Sequence, residues 1–176
     1  MTYDKARQKS RAAIKNAMLA LMQAKPLGSI TVTELCRRCR LNRSTFYAYY
    51  PTMEHLIHDL HTDLFLQMET DLHLERGNYG MRDKALFTSF LANECQSDSR
   101  FTLFLRSDEA NLFVRNMVAH FLSRLCPQDA SVAQRNSLLY HITGAFTLLC
   151  KWIYEGYPCP AEELAEEIMA LSSSAL

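Results

Sequence analysis

Residues 30–57 read ITVTELCRRCRLNRSTFYAYYPTMEHLI, and this stretch decides the fold because it predicts two short helices joined by a tight turn. Thr31 and Glu34 match the capping box S/T-x-x-E, in which the hydroxyl and the carboxylate each satisfy a free backbone N–H at a helix start. The first short helix therefore begins just after Thr31. Its inward face is small and apolar, with Leu35, Cys36 and Cys39, and its outer side carries Arg37 and Arg38.

The second short helix also has clear ends. The chain turns at Arg40-Leu41, and Asn42 is a favourable N-cap for a helix that runs from Arg43 to about Tyr50. Pro51 ends this helix, because the residue before a proline is pushed out of the helical region. Two helices joined by a short turn, the second with polar and basic residues at its start, are typical of proteins that read the major groove of DNA.

The same stretch strongly resembles the DNA-binding domain of TetR/AcrR-type transcriptional regulators. In that family the first short helix begins with T-x-x-E/D-[LI]-A, the recognition helix follows S/R-x-[ST]-[FL]-Y-x-[HY]-[FY], and the next helix begins with K-E-x-L. The matching residues are Thr31, Thr33, Glu34, Leu35, Ser44, Thr45, Phe46, Tyr47, Tyr49, Tyr50, Glu54 and Leu56. Two positions depart from the pattern. Arg40 stands where the turn usually has glycine, and Met53 stands where most members carry a lysine that contacts phosphate.

The resemblance implies a set of residues that contact double-stranded DNA. Those placed at phosphates or in packing are Thr33, Tyr47 and Tyr50, and those placed to reach the groove are Arg43, Ser44, Thr45 and Tyr49. An arginine at the start of a recognition helix can donate two hydrogen bonds to one guanine, so Arg43 is the main candidate for reading sequence. Arg37 and Arg38 either contact DNA or are only solvated. Phe46 is expected in the core.

Charge is distributed unevenly although the chain of 176 residues has a formal net charge of zero. Residues 1–60 contain ten Lys and Arg against four Asp and Glu, a net charge of +6, and the remainder carries −6. A basic N-terminal part on an acidic body fits a protein that neutralises phosphates at one end only. The bland alternative, a solvated charged helix, accounts for the basic residues between Lys5 and Lys15 but not for the arginines of the helix-turn-helix.

The whole chain is predicted to be all-α, because no segment alternates apolar and polar residues with the period of a strand. Helices are expected at about 5–24, 52–75, 82–95, 100–106, 109–126, 131–155 and 161–171 besides the two short ones, with a loop at 76–80. This pattern predicts a helix-turn-helix DNA-binding domain at residues 1–51. A helical dimerisation and effector domain is predicted at 52–176, and the helix from Thr52 would link the two.

The C-terminal part carries a second resemblance to TetR-type regulators. A glycine-bearing helix (Tyr140–Phe146), then KWIYEG at 151–156 and PAEELA at 160–165 are similar to one type of their C-terminal domain. The resemblance implies a homodimer in which the last two long helices pair with their copies. The predicted dimer residues form an apolar stripe, Leu138, Ile142, Ala145, Phe146, Leu149, Trp152 and Ile153. The alternative is that this stripe packs only inside its own subunit.

Small-molecule and metal sites are less well defined by the sequence. Regulators of this type generally enclose an effector pocket, and Phe87, Phe90, Phe101, Phe104, Phe113, Met117 and Phe121 either line one or form plain core. Cys36-x-x-Cys39 lacks a second ligand pair for zinc, so core packing is the expectation for both cysteines. His55, His58 and His61 could bind a metal, but exposed histidines are the simpler interpretation. We therefore predict no metal and no cofactor.

The remaining expectations concern location and class. The N-terminus lacks the apolar core of a signal peptide, and no apolar run is long enough for a membrane helix, so the sequence predicts a cytoplasmic protein. No nucleophile with a base, convergent carboxylate pair or glycine-rich phosphate loop indicates an enzyme. The prediction is a DNA-binding transcriptional repressor, dimeric on a palindromic operator and released by an unknown small effector. The alternative is a helical adaptor or co-regulator that acts through a protein partner.

Overall fold

The computed structural model describes residues 2–75, 84–95 and 99–173, and these residues form nine α-helices. The helices are α1 (Thr2–Met22), α2 (Val32–Cys39), α3 (Arg43–Tyr49), α4 (Met53–Asp71), α5 (Lys84–Phe90), α6 (Arg100–Leu105), α7 (Ala110–Leu125), α8 (Val132–Tyr154) and α9 (Ala161–Ser173). A 3₁₀ turn at Leu27–Ser29 precedes α2, and α5 continues as a π-helical turn at Leu91–Cys95. The all-α prediction is confirmed. The predicted loop at 76–80 lies outside the described residues.

The N-terminal three helices pack on one another through buried apolar side chains. Ile14 and Met18 lie on the same side of α1, and both are completely buried. They belong to the same buried cluster as Leu35 of α2 and Phe46 of α3. This burial of Phe46 confirms that its ring supports α3 from behind and is not available to DNA.

The predicted helix ends around α2 and α3 are confirmed, except that Asn42 does not cap α3 with its side chain. Thr31 and Glu34 form the complete capping box at the start of α2. Arg40 ends α2 in the left-handed conformation, with φ of 56°, and the N–H of Leu41 donates to the carbonyl of Cys36 at 3.0 Å, as in a Schellman turn. Asn42 stands at the N-cap of α3, but its side chain makes no capping hydrogen bond, contrary to the prediction. Its amide is therefore free to bind elsewhere.

Helix α4 belongs to both halves of the chain. Near its start Asp59 accepts hydrogen bonds from Tyr50 and from Arg11, each at 2.7 Å, and Lys15 lies 2.9 Å away. Near its end Glu69 accepts from Arg124 of α7 and pairs with His120. Helix α4 is therefore bonded through polar side chains to the N-terminal helices near its start and to α7 near its end.

A second contact connects the N-terminal helices α1–α3 to the body, which is the part of the chain that follows α4. The carboxylate of Asp108, in the turn between α6 and α7, accepts from the backbone N–H of Leu27 at 2.8 Å and of Gly28 at 3.0 Å. A Cβ at Gly28 would lie 2.9 Å from Asp108 Oδ2, so a larger residue here would displace this carboxylate. The N-terminal unit is thus attached to the body at two separate places, α4 and the 3₁₀ turn.

Candidate nucleic-acid interface

The start of α3 presents a polar and basic surface. Arg43, Ser44 and Tyr47 are exposed, and Thr45 and Tyr49 are half-buried. Helix periodicity explains the difference, because Phe46 and Tyr50 occupy the inward positions and the exposed residues lie on the opposite side. The structure brings the predicted groove-reading residues onto one short helix. Their contacts with DNA remain predictions.

Arg43 is held over an aromatic ring of its own helix. Its guanidinium carbon lies 5.9 Å from the ring centroid of Tyr47, and Nη2 lies 3.5 Å from the Tyr47 hydroxyl. The hydroxyl contact raises the pKa of Arg43, so the group stays cationic. Because the residue is one turn before Tyr47 on the exposed side, the planar guanidinium is partly ordered before any partner arrives, which lowers the entropy cost of a bidentate contact.

Tyr50 is a correction to the predicted set of DNA-contacting residues. Its side chain is only 3% exposed, and its hydroxyl donates to Asp59 at 2.7 Å while Arg11 Nε donates to it at 3.5 Å. Burial and the hydrogen bond to Asp59 raise the pKa of Tyr50 to about 12. Burial by itself would raise the pKa of Asp59, but the hydrogen bonds from Tyr50, Lys15 and Arg11 outweigh it and lower that pKa to about 2. Tyr50 therefore joins α3 to α1 and α4.

The remaining basic residues of the N-terminal part divide into paired and unpaired groups. Arg11, Lys15 and Lys25 form ion pairs with Asp59, Asp63 and Glu34. Within the described side chains no acidic partner is found for the other seven, which are Lys5, Arg7, Lys9, Arg37, Arg38, Arg40 and Arg43. Four of these seven lie on α2, its left-handed turn and α3. Thr33, the predicted phosphate contact, is exposed on the first turn of α2.

Three further residues of this surface were not in the predicted set. Arg40 is exposed at the turn between α2 and α3, Asn42 at the N-cap of α3 makes no capping hydrogen bond, and the guanidinium carbon of Arg7 on α1 lies 5.8 Å from the ring centroid of Tyr49. The departure from glycine at Arg40 was visible in the sequence, and it could have been interpreted as an added cation. The freedom of Asn42 could not have been foreseen, since asparagine is a good N-cap by type.

The predicted dimer stripe lies largely inside the subunit. Leu138, Leu149, Trp152 and Ile153 are buried within the single chain, so a second subunit cannot touch them unless the core opens. Ile142, Ala145 and Phe146 are half-buried and line a cavity. The alternative interpretation of this stripe, packing within its own subunit, describes these residues better. Their apolar spacing serves the packing of α8 on α7 and α9.

A different side of α8 is exposed. We call Leu139, Tyr140, Thr143, Gly144 and Thr147 the outer face of α8. Tyr140 is 73% exposed, and a Cβ built at Gly144 meets no atom within 4 Å. The hydroxyls of Thr143 and Thr147 donate to carbonyls one turn back in the same helix, at 2.7 and 2.8 Å. The outer face is therefore uncharged, and its threonines present methyl groups outward.

An apolar cavity of about 100 Å³ lies in the body. Of the predicted aromatic residues, Phe87, Phe90 and Phe121 line it, whereas Phe101, Phe104, Phe113 and Met117 are buried in the core. Met68 and Leu72 of α4 contribute to its wall, as do residues of α8. The cavity thus touches the helix that carries the N-terminal unit.

The cysteines and histidines considered as metal ligands lie in different environments. Cys36 is buried, Cys39 is half-buried, and Cys39 Sγ donates to the Cys36 carbonyl at 3.7 Å. His55 and His58 are exposed, but His61 is buried and points into the core. Across the described ranges no three His, Cys, Asp or Glu side chains are grouped to hold a metal ion.

Comparison with known proteins identifies the fold. No protein-family model matches the chain, and no curated protein sequence matches it. A crystal structure of a TetR transcriptional regulator from Streptococcus agalactiae matches with a TM-score of 0.70 and 22% identity over 98% of both chains. The dihydroxyacetone kinase operon activator DhaS matches with a TM-score of 0.56 and 17% identity over 94% of both chains. RolR in complex with resorcinol matches with a TM-score of 0.51 and 16% identity over 98% of this chain and 93% of its own.

The chain therefore has the fold of TetR-type transcriptional regulators, and the resemblance inferred from its sequence is confirmed at that level. Among the described helices none combines the length and the apolar character that crossing a lipid bilayer requires.

Proposed function

We propose that this protein is a TetR-type DNA-binding transcriptional repressor that occupies a palindromic operator as a homodimer and is released by a small molecule. The observation that carries the proposal is the surface of α2, its turn and α3. There four arginines without an acidic partner among the described side chains flank the exposed Ser44 and Tyr47. Cations on and beside a short helix with a polar exposed start are what phosphate contact and groove reading both need. A reporter gene behind the operator, with and without the protein, decides the sign of regulation.

A homodimer is supported by the outer face of α8. Two half-sites of an operator lie one helical turn of DNA apart, so a reader with one short recognition helix needs a second copy. The outer face offers an uncharged surface of small residues and one tyrosine, and Gly144 allows another backbone to come close. Nothing in the subunit itself requires glycine there, since its Cβ position is open. A contact between subunits would explain why a glycine stands at this exposed position.

Release by an effector is supported by the position of the cavity. A ligand in the cavity would contact Met68 and the C-cap residue Leu72 at the C-terminal end of α4. Asp59, nearer the N-terminal end of α4, accepts hydrogen bonds from Tyr50 and Arg11. A rotation of α4 therefore reorients α3, and the contact at Asp108 fixes the second point about which the N-terminal unit turns. One solved neighbour, RolR, is in complex with resorcinol, so this fold can hold a single-ring molecule.

Arg43→Ala is expected to relax discrimination at one base pair of each half-site by about tenfold, because a bidentate arginine–guanine pair contributes about 1–3 kcal/mol. Nonspecific binding should change little. Thr33→Ala is the matched comparison, and it should weaken binding to all sequences alike, since phosphates carry no sequence information. Both variants are titrated against the operator and a single-base variant at fixed salt. Equal loss of affinity for both DNAs in the Arg43 variant would assign it to phosphate anchoring.

Operator binding should weaken steeply with salt. Each neutralised phosphate contributes about 0.9 to the slope of log affinity against log salt. Replacing Arg37 and Arg38 together by alanine is therefore expected to reduce that slope by about 2 if both contact phosphate. Replacing Arg115 and Arg135, exposed on α7 and α8, by alanine is the control and should leave the slope unchanged. An unchanged slope in the Arg37/Arg38 variant would show that these two arginines are only solvated.

A further inference from the structure

Among the described residues that line the cavity, one buried polar side-chain atom lacks a hydrogen-bond partner. Nε2 of His141, on α8, is buried and has no hydrogen-bond partner, and His141 is part of the cavity wall. A buried polar atom without a partner is destabilising, and a bound group of the right chemistry removes that penalty. The other polar side chain of the wall, Ser172, already donates its hydroxyl to the Ile168 carbonyl at 2.8 Å. In the described lining, Nε2 of His141 is therefore the buried side-chain atom that a ligand can supply with a hydrogen bond.

The rest of the wall restricts the ligand to an apolar, uncharged molecule. Its described lining has no Asp, Glu, Lys or Arg, so a charged ligand would be buried without a counter-ion. Four phenylalanines, Phe87, Phe90, Phe121 and Phe146, contribute rings to it. Aromatic rings pack against one another in offset or edge-to-face geometry with favourable energy beyond the buried area, which favours a ring in the ligand.

Size and hydrogen bonding narrow the class further. A volume of about 100 Å³ is of the order of an engineered apolar cavity that binds benzene, so a single ring matches its size. A hydroxyl both donates and accepts, and it therefore satisfies Nε2 in either tautomer of the neutral imidazole. A carbonyl or an ether could serve only the tautomer that carries the proton on Nε2.

We propose that this cavity binds an uncharged single-ring aromatic molecule with a ring hydroxyl, and that His141 selects for the hydroxyl through Nε2. The ring lies among the phenylalanines and the hydroxyl meets the imidazole. The inference deepens the proposed function, on which its regulatory meaning rests, because it gives the chemical class of the effector. Binding itself is independent of DNA and can be measured on the free protein.

The test uses three probes of nearly one size on the full chain, by calorimetry or ligand-observed NMR. Phenol is expected to bind, toluene to bind at least about tenfold more weakly because it leaves Nε2 unpaired, and benzoate not to bind. In His141→Phe the preference for phenol over toluene should disappear, and His141→Gln, which keeps a polar end, should retain part of it. His58→Phe, on the exposed side of α4, is the matched control and should keep the wild-type preference.

Several results would overturn the inference. They are equal affinity for phenol and toluene in the wild type, survival of the preference in His141→Phe, or no binding of any probe. The ratio in the wild type decides even if the His141→Phe variant does not fold. Operator affinity is then measured with and without phenol. If phenol binds through His141 but leaves operator affinity unchanged, the ligand class stands and effector release, a part of the proposed function, fails.

Discussion

Gly144→Glu is expected to convert the dimer into monomers and to lower operator affinity by about 100-fold or more. The substitution places a carboxylate at the centre of the outer face of α8, where a second subunit would bury it without a partner. Two linked reading heads gain about 10²–10⁴ in avidity over one, and the monomer loses that gain. Light scattering measures the oligomeric state, and titration of the operator measures the affinity.

This variant separates loss of the dimer from loss of the fold. Gly144 is exposed, its Cβ position is open, and a non-glycine residue inside a helix is favoured by about 0.5–1 kcal/mol over glycine. The isolated subunit should thus keep its helical circular dichroism. Ala119→Glu introduces the same charge at an exposed position of α7 and should change neither measurement. A Gly144→Glu protein that stays dimeric would move the subunit contact to another surface.

The N-terminal fold was largely predictable because its signals are local. The capping box at Thr31 and Glu34, the stop at Pro51 and the inward spacing of Phe46 each depend on a few neighbouring residues, and the structure confirms all three helices. Tyr50 could not be placed from its type. A tyrosine at the end of a recognition helix can turn to DNA or inward, and only the position of Asp59, nine residues later on α4, shows that it turns inward.

The predicted dimer stripe is largely buried inside the subunit. Apolar spacing along α8 shows which side is buried but not by what, and the strongest stripe, which includes Leu138 and Leu149, is buried by the subunit itself. The outer face has one leucine, one tyrosine, one glycine and two threonines, so its hydrophobic signal is weaker than that of the buried stripe. Its apolar character becomes visible only when the hydroxyls of Thr143 and Thr147 are seen bonded to their own helix.

The three histidines of α4 show how spacing can mislead. His55 and His61 are six residues apart, which is about 120° short of two full turns of a helix, so the two side chains point about 120° apart. His55 is accordingly exposed, and His61 is 1% exposed between Phe104 and Phe113, whose rings lie edge-on at 4.6 and 5.0 Å. A metal shared by the three is incompatible with this arrangement. His61 belongs to the core.

Burial of His61 makes the protein sensitive to mild acid. Its Nδ1 lies 3.2 Å from the amide nitrogen of Asn116 on α7, and its Nε2 is buried without a partner. Burial, and to a lesser degree the neighbouring His58, lower the pKa of His61 from 6.5 to about 4. As the pH falls, His61 is therefore protonated near pH 6.5 in the unfolded chain but only near pH 4 in the folded chain. Stability is complete above the unfolded pKa and is lost as the pH falls through this window.

Wild-type protein is expected to lose about 2 kcal/mol of unfolding free energy to this one residue between pH 7.5 and pH 5.0, since each pKa unit corresponds to about 1.36 kcal/mol. His61→Phe removes the titrating group and keeps an aromatic ring beside Phe104 and Phe113, so its loss over the same interval should be smaller by that amount. Urea unfolding at pH 7.5 and pH 5.0 gives this loss of unfolding free energy for each protein. Because each protein is compared with itself at the two pH values, the pH-independent cost of leaving Asn116 without its partner cancels. His55→Gln removes an exposed histidine and should reproduce the wild-type dependence. If His61→Phe and the wild type lose equal stability between pH 7.5 and pH 5.0, His61 is protonated in the folded core, and its packing against the two phenylalanines must open to water before the protein unfolds.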